Sequence, residues 1–150
     1  MLSQRAKYAL RAMIRLAEYD EAAPVSVTAL ARDTQIPRAF LEQIFSELRR
    51  HHLVVSRRGK QGGFVLARQP KEITFAEIIR HVDGPLALAP CASRTAFRPC
   101  PECRSVEACE LRPALIEARD ATAAILERMT LAKAALRNGA GKARRPKNSK

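Results

Sequence analysis

Residues 36–68, IPRAFLEQIFSELRRHHLVVSRRGKQGGFVLAR, decide the fold of this chain. The apolar side chains of the first half recur at helical spacing and form a predicted core stripe. They are Phe40, Leu41, Ile44, Phe45 and Leu48. Pro37 suits the first turn of a helix. The second half has two β-rich runs, at 53–56 and 64–67, on either side of a basic, glycine-rich tip. The stretch therefore predicts a helix followed by a β-hairpin.

Two helices are predicted before this stretch. The first covers roughly 3–19 and carries apolar residues at three- and four-residue spacing on one face. The second is short, is capped by Ser26 or Thr28, and ends near Ala31. A brief connection then leads to Pro37. Two helices with so tight a connection indicate a helix-turn-helix, in which the second is the recognition helix.

The hairpin after the recognition helix is typical of a wing. Its glycines permit positive φ angles and close backbone approach, and its basic side chains suit a narrow minor groove of DNA. The basic residues are Arg57, Arg58 and Lys60, and the glycines are Gly59, Gly62 and Gly63. A solvated hairpin that binds nothing is the alternative, but the preceding helices favour DNA.

Charge indicates the same class of partner. The chain has 27 Lys and Arg against 15 Asp and Glu, a net charge of +12. Such a charge favours binding to polyanions such as nucleic acids. The excess is +6 over 1–70, +1 over 71–138 and +5 over 139–150. The last segment has no apolar side chain larger than alanine, so we expect a disordered basic tail. Such a tail adds non-specific phosphate affinity or only solubility.

Several function classes are not expected from the sequence. Residues 1–20 have arginines among their apolar residues, so neither a signal peptide nor a membrane span is predicted, and we expect a cytoplasmic protein with no membrane partner. There is no Ser-His-Asp order, nucleotide loop or recognisable carboxylate pair. The sequence therefore predicts a protein that is not an enzyme, and 150 residues suit one domain.

Four cysteines, Cys91, Cys100, Cys103 and Cys109, lie on one proline-containing loop without hydrophobic periodicity. Thiols at this spacing can converge on one metal centre, and in a reducing compartment metal binding or redox activity is favoured over a disulfide framework. Structural zinc is usually bound by two pairs of closely spaced ligands. Here Cys100 and Cys103 are the only two cysteines with a two-residue spacing. A zinc site, and a disulfide between Cys100 and Cys103, are the alternatives to an iron-sulfur cluster.

The segment after the cysteines has a heptad pattern over 111–138. The positions alternate by four and three: Leu111, Leu115, Ala118, Thr122, Ile125, Met129, Ala132 and Leu136. A continuous helix more than ~35 Å long cannot cover this seam on a small head alone. We therefore predict a homodimer and a pseudo-palindromic double-stranded DNA operator, with an intrachain packing stripe as the alternative.

These motifs resemble those of the bacterial Rrf-two family of winged-helix regulators over roughly residues 1–137. The resemblance is carried by LEQI at 41–44, by Ser56, Arg58-Gly59 and Gly62-Gly63 of the wing, by VDGP at 82–85, and by the cysteines. It implies a dimeric repressor or activator whose DNA affinity is set by an iron-sulfur cluster that senses redox state, iron or nitric oxide.

The resemblance also implies which residues contact DNA. They are Arg38, Ala39, Phe40, Glu42 and Gln43 on the recognition helix, and Arg58 in the wing. The basic, glycine-rich tip adds Arg57, Gly59 and Lys60 to the predicted DNA contacts. Ala39 and Phe40 stand where close relatives often have Ser and Tyr, so the operator preference of those relatives does not carry over. Glu42 can accept from cytosine and Gln43 can pair with adenine, although either is also consistent with a plain exposed helix face.

In the cysteine loop, the resemblance assigns three ligands to Cys91, Cys103 and Cys109. Relatives take the fourth from a histidine, where this chain has Arg112, or from an acidic residue, where it has Lys7. We therefore expect Cys100 to supply the fourth thiolate of a 2Fe-2S or 4Fe-4S cluster, with a three-cysteine cluster as the alternative.

The expected fold is mainly α with a small β wing: a winged helix-turn-helix head followed by a long C-terminal dimerisation helix. The predicted division is a DNA-binding domain at 1–84, a cysteine-rich sensing loop at 85–110, the dimerisation helix at 111–138 and the tail at 139–150.

Overall fold

The structure, a computed structural model, describes residues 2–139, with side chains as far as Arg137. It has six α-helices and two strands over this range. They are α1 (Gln4–Ala17), α2 (Val27–Thr34), α3 (Arg38–Arg50), β1 (Val54–Arg57), β2 (Gly63–Leu66), α4 (Phe75–Val82), α5 (Arg112–Arg128) and α6 (Leu131–Gly139). A single 3₁₀ turn, Pro90–Ala92, lies between α4 and α5. The predicted basic tail falls outside the described residues apart from its first residue.

Local capping determines where the first helices begin. The Ser3 hydroxyl oxygen accepts a hydrogen bond from the Ala6 amide (3.0 Å), and Ser26 accepts one from Ala29 (3.1 Å). Ser26, rather than Thr28, is thus the cap of α2. This helix continues past the predicted end and stops where Gln35 adopts a left-handed conformation at φ 57°.

The hydrophobic core lies between α1, α2, α3, α4 and α6. The buried side chains of α3 are those at the predicted spacing, Leu41, Ile44, Phe45 and Leu48. Phe40 is different: the sequence pattern placed it on the core stripe, but it is 51% exposed. Its position in the first turn of α3 points it away from the core and towards Tyr8, with which it makes an edge-to-face contact at 5.9 Å.

The strands form an antiparallel hairpin in which Val54 pairs with Leu66 and Arg57 with Gly63. The base of this wing is joined to the turn before α2, because Val25 and Phe64 exchange main-chain hydrogen bonds of 3.0 and 2.9 Å. A Cβ atom on Gly63 would lie 2.3 Å from the Val25 carbonyl oxygen. Only glycine therefore permits this approach.

The predicted continuous helix over 111–138 was wrong, because the structure has a break at Met129 and Thr130. Met129 is extended, at φ −87° and ψ 107°, and its carbonyl accepts from the Phe75 amide (2.9 Å). The Leu131 amide donates to the Ile73 carbonyl (3.0 Å). This bridge ends α5 and turns α6 back onto α1, where Leu131 is fully buried.

The heptad seam is consequently divided between two helices. No side chain of α5 is buried, and Leu111 and Ile125 are 72% and 59% exposed. α6 instead contributes Leu131 and Ala134 to the head of the same chain. Within residues 2–139, no helix combines the length and apolar composition needed to cross a membrane.

Candidate functional site

The outward face of α3 is a candidate nucleic-acid interface. Its five predicted DNA-contacting residues are all exposed, whereas the opposite face of the helix is buried. They are Arg38, Ala39, Phe40, Glu42 and Gln43. The Arg38 Nε donates to the Glu42 carboxylate (2.7 Å), so these two side chains are paired along the helix one turn apart.

The tip of the wing is a second exposed, basic surface. Arg57, Arg58, Gly59 and Lys60 are all exposed there. Gly59 has φ +124°, a conformation that side chains rarely adopt, and a Cβ on Gly62 would lie 2.5 Å from the Arg57 carbonyl oxygen. The glycines therefore allow the tight turn that places these charges at the end of the hairpin.

The cysteine loop brings two of its four thiols together. Cys91 is buried in the 3₁₀ turn, and its Sγ lies 3.7 Å from the Sγ of the half-buried Cys100. Burial raises the pKa of the Cys91 thiol, and the neighbouring Cys100 and Cys109 sulfurs raise it further. Two thiolates on one tetrahedral ion, with bonds of about 2.3 Å, are about 3.8 Å apart. The pair thus fits two sulfur ligands of one metal atom.

The other two cysteines bring the number of thiols in the loop to four, but they do not form a metal site with the first pair. Cys103 and Cys109 are half-buried, and the Cys103 amide donates to the Cys100 carbonyl (3.0 Å) in a tight turn. Among the described residues, no group of three or more His, Cys, Asp or Glu side chains is placed to hold a metal ion. The four thiols suit the chemistry of an iron-sulfur cluster, and the four-thiolate centre stays a prediction.

Two arginines of α5 contact the turn that holds Cys91. The Arg112 Nε donates to the Cys91 carbonyl oxygen (3.2 Å), and Arg119 donates to the Ala92 carbonyl oxygen. From the sequence, Arg112 was noted only as standing where relatives have a histidine, and no role was predicted for Arg119. Their seven-residue spacing, two helical turns on one face, was the only available signal.

A pair of stacked histidines was also missed. His51, the C-cap of α3, lies against His81 of α4 with ring centroids 4.1 Å apart and planes inclined by 20°. Burial lowers the pKa of His81, and the nearby His51 lowers it further. The two rings come from residues thirty positions apart, so no local pattern could have revealed the contact.

Comparison with known proteins identifies the family. Residues 2–136 match the Rrf2 family model, described as "Iron-dependent Transcriptional regulator". A "Putative HTH-type transcriptional regulator rrf2-like" of Rhodobacter capsulatus is 34% identical over 134 residues, covering 87% of this chain and 89% of that protein. Several other curated relatives are matched over little more than half of their own length.

Solved structures confirm the predicted winged-helix fold. CymR (YrzC), described as the global cysteine regulator of B. subtilis, superposes with a TM-score of 0.74 at 31% identity, covering 91% of this chain and 97% of that one. IscR of T. potens gives 0.71 at 26% identity, covering 97% and 93%. The relatives named above are regulators and not enzymes, as predicted for this chain. The chain belongs to the Rrf2 family of transcriptional regulators.

Proposed function

We propose that this regulator binds double-stranded DNA as a homodimer and that the cysteine loop controls its operator affinity. The observation that carries DNA binding is the division of α3 into two faces. On one face the side chains of Leu41, Ile44, Phe45 and Leu48 are fully buried, and the other face presents the contact residues predicted on this helix to solvent. A recognition helix needs this arrangement to enter the major groove while still packed on its domain.

Some residues of the interface position the protein on the DNA backbone, and others recognise the base sequence. Arg57, Arg58 and Lys60 of the wing bind phosphates or enter the minor groove, because their charges stand at the exposed end of a hairpin. Gln43 reads a base edge in the major groove, where an amide pairs well with adenine. The exposed ring of Phe40 supplies an apolar contact suited to a thymine methyl group.

Selection from a random double-stranded DNA library tests this assignment. Arg58→Ala should weaken binding to all selected sequences alike and lower the salt dependence, by about one unit of the log-log slope. Gln43→Ala should instead relax the preference at one position in each half-site. Lys71→Ala, at an exposed lysine outside the interface, is the control. If Gln43→Ala selected the same sequences as the wild type, Gln43 would not read bases.

We assign the sensing site to Cys91, Cys100, Cys103 and Cys109, which would hold a 2Fe-2S or 4Fe-4S cluster. When bound, such a cluster supplies a centre that responds to oxidants, nitric oxide or iron supply. The chain places the loop between the head and α5, so a change in the loop can reach both. Burial of Cys91 keeps water from one side of the site, while the half-buried Cys100, Cys103 and Cys109 leave the other side open to small reactants.

Anaerobic purification followed by a visible spectrum, with iron, sulfide and zinc assays on one sample, tests the cofactor. We expect charge-transfer absorbance with acid-labile sulfide, whereas a colourless protein with one zinc per chain contradicts the cluster. Cys100→Ser is the informative variant, because it should lose the absorbance if Cys100 is the fourth ligand. Full retention of the absorbance would indicate a cluster held by three cysteines.

A second candidate function, a thiol-disulfide switch, is favoured by the 3.7 Å contact between Cys91 and Cys100. The pairing differs from the Cys100–Cys103 disulfide considered from sequence. With hydrogen peroxide as oxidant, the two thiols give up two protons and two electrons and the Sγ–Sγ bond forms, while the O–O bond of the peroxide breaks and two waters result. Peptide mapping of the cluster-free protein after peroxide treatment should find Cys91 joined to Cys100. Exclusive joining of Cys100 to Cys103 would contradict this pairing.

A further inference from the structure

α5 is held to the rest of the chain by different contacts at its two ends. Near its C-terminal end, Leu126 packs on the core, Glu127 pairs with Arg80 (2.6 Å), and the Met129 carbonyl oxygen accepts a hydrogen bond from the Phe75 amide at the start of α4. Near its N-terminal end, the contacts are instead with the turn that carries Cys91. Among the described residues of α5, Leu126 is the only apolar side chain packed on the core, so the core does not fix the N-terminal end of the helix.

The N-terminal contacts depend on Arg112 and Arg119. Arg119 is only 12% exposed in its side chain, and its guanidinium is shared between the Ala92 carbonyl oxygen and the Asp120 carboxylate (2.7 Å). Arg112 donates to the Cys91 carbonyl oxygen, and its guanidinium lies 5.9 Å from the centre of the Phe97 ring. Both arginines bind main-chain oxygens, which leaves the Cys91 thiol free for a metal or a second thiol.

We propose that Arg119, assisted by Arg112, is a positioning residue that makes the direction of α5 follow the conformation of the cysteine loop. A change in what the Cys91 thiol binds rotates the adjacent peptide groups, and these carry the two carbonyl acceptors. Hydrogen bonds to a charged guanidinium are strong and directional, so the helix end moves with them. The interruption at Met129 and Thr130 provides the pivot at the other end.

This inference rests on the proposed function, since it names the route by which the loop regulates DNA binding. The competing explanation is that Arg119 merely stabilises the fold. An ion pair between Arg94 and Asp120 (3.1 Å) also joins the loop to α5, but 72% of the arginine side chain is exposed, so it contributes less. The test therefore concentrates on Arg119 and Arg112.

Hydrogen exchange on the full chain tests the inference directly. In the wild type, stripping the bound metal with a chelator should change amide exchange both in the cysteine loop and along 112–128. In Arg119→Gln, and more completely in Arg112→Gln/Arg119→Gln, the change should be confined to the loop. Arg128→Gln, at an exposed arginine of the same helix with no ion pair among residues 2–137, should behave like the wild type. An unchanged α5 in the stripped wild type, or an α5 change that survives in the double variant, would overturn the proposal.

Operator affinity separates this inference from the function on which it rests. Loaded and stripped wild type should differ in affinity by about 5- to 150-fold, the usual range for linked sites. Arg119→Gln should reduce that ratio to about 1- to 2-fold. The variant should keep its cluster absorbance and remain a dimer, whereas a general loss of stability would reduce both. Equal affinities in the wild type would contradict the proposed function. A normal ratio in Arg119→Gln would contradict only the role of Arg119.

Discussion

At the scale of single residues, only part of the role of the wing glycines could be predicted from the sequence. The sequence predicted that the glycines of the wing permit tight turns and close backbone approach, which holds for Gly59 and Gly62. It could not show what Gly63 approaches, because the Val25 carbonyl belongs to the turn before α2, almost forty residues earlier. Phe40 was misplaced for a related reason, since apolar character alone does not distinguish a core residue from an exposed contact residue.

Gly63→Ala should therefore destabilise the head by about 1–3 kcal/mol, because the added methyl group overlaps the Val25 carbonyl and separates the wing from α2. Chemical denaturation measures the loss. Gln61→Ala, at the exposed tip of the same hairpin, should change the free energy of unfolding by less than about 0.5 kcal/mol. Equal effects of the two substitutions would show that the wing base is not tightly packed.

At the scale of elements, local signals predicted helix starts better than helix ends and contacts. Ser26 and Pro37 act on their own first turns, so the beginnings of α2 and α3 could be predicted. The end of α5 could not be predicted from the sequence, because it depends on main-chain hydrogen bonds with the segment around Ile73 and Phe75. The spacing of the cysteines likewise gave the type of donor but not which thiols meet.

The stacked histidines between α3 and α4 give a pH dependence. The pKa of His81 is lowered in the folded protein, mainly by burial and then by His51, while Glu77 and Glu47 act to raise it and Arg68 to lower it. The unfolded chain therefore takes up more protons as the pH falls below the ordinary histidine pKa of about 6.5. Stability should decrease from pH 7.5 to pH 5.5.

Denaturation at pH 7.5, 6.5 and 5.5 measures this dependence. His81→Gln should flatten it, because the group whose protonation opposes folding is gone. His52→Asn is the matched control, since His52 is exposed and its positive φ of 56° is tolerated by asparagine. The same decrease with pH in His81→Gln would assign the effect to other groups.

At the scale of the whole molecule, the exposed face of α5 is the feature that a single chain leaves unexplained. The helix has 17 residues and none of them is buried, yet most of the stability of a helix in a protein comes from packing of its apolar face. Leu111, Leu115, Ala118, Thr122 and Ile125 continue the heptad spacing over its length. A second copy of the same helix, packed along this seam, would cover them and supports the proposed homodimer.

Ile125→Glu should weaken the dimer at least about tenfold, or 1.4 kcal/mol, because two like charges would face each other across the seam. Sedimentation measures the change in association. Ala124→Glu places the same charge on an exposed position of α5 outside the seam and should leave association unchanged. A monomeric wild type, or a fully dimeric Ile125→Glu, would contradict the proposed interface.

The bridge between Thr130 and Thr74 has a consequence for how such regulators diverge. Main-chain groups make this joint, so it places few demands on side-chain identity. The exposed seam can therefore change without detaching α5 from its own head. After a gene duplication, two copies could acquire incompatible seams while keeping their DNA-binding heads intact. Mixed pairs would then be excluded, and each regulator would control its own genes.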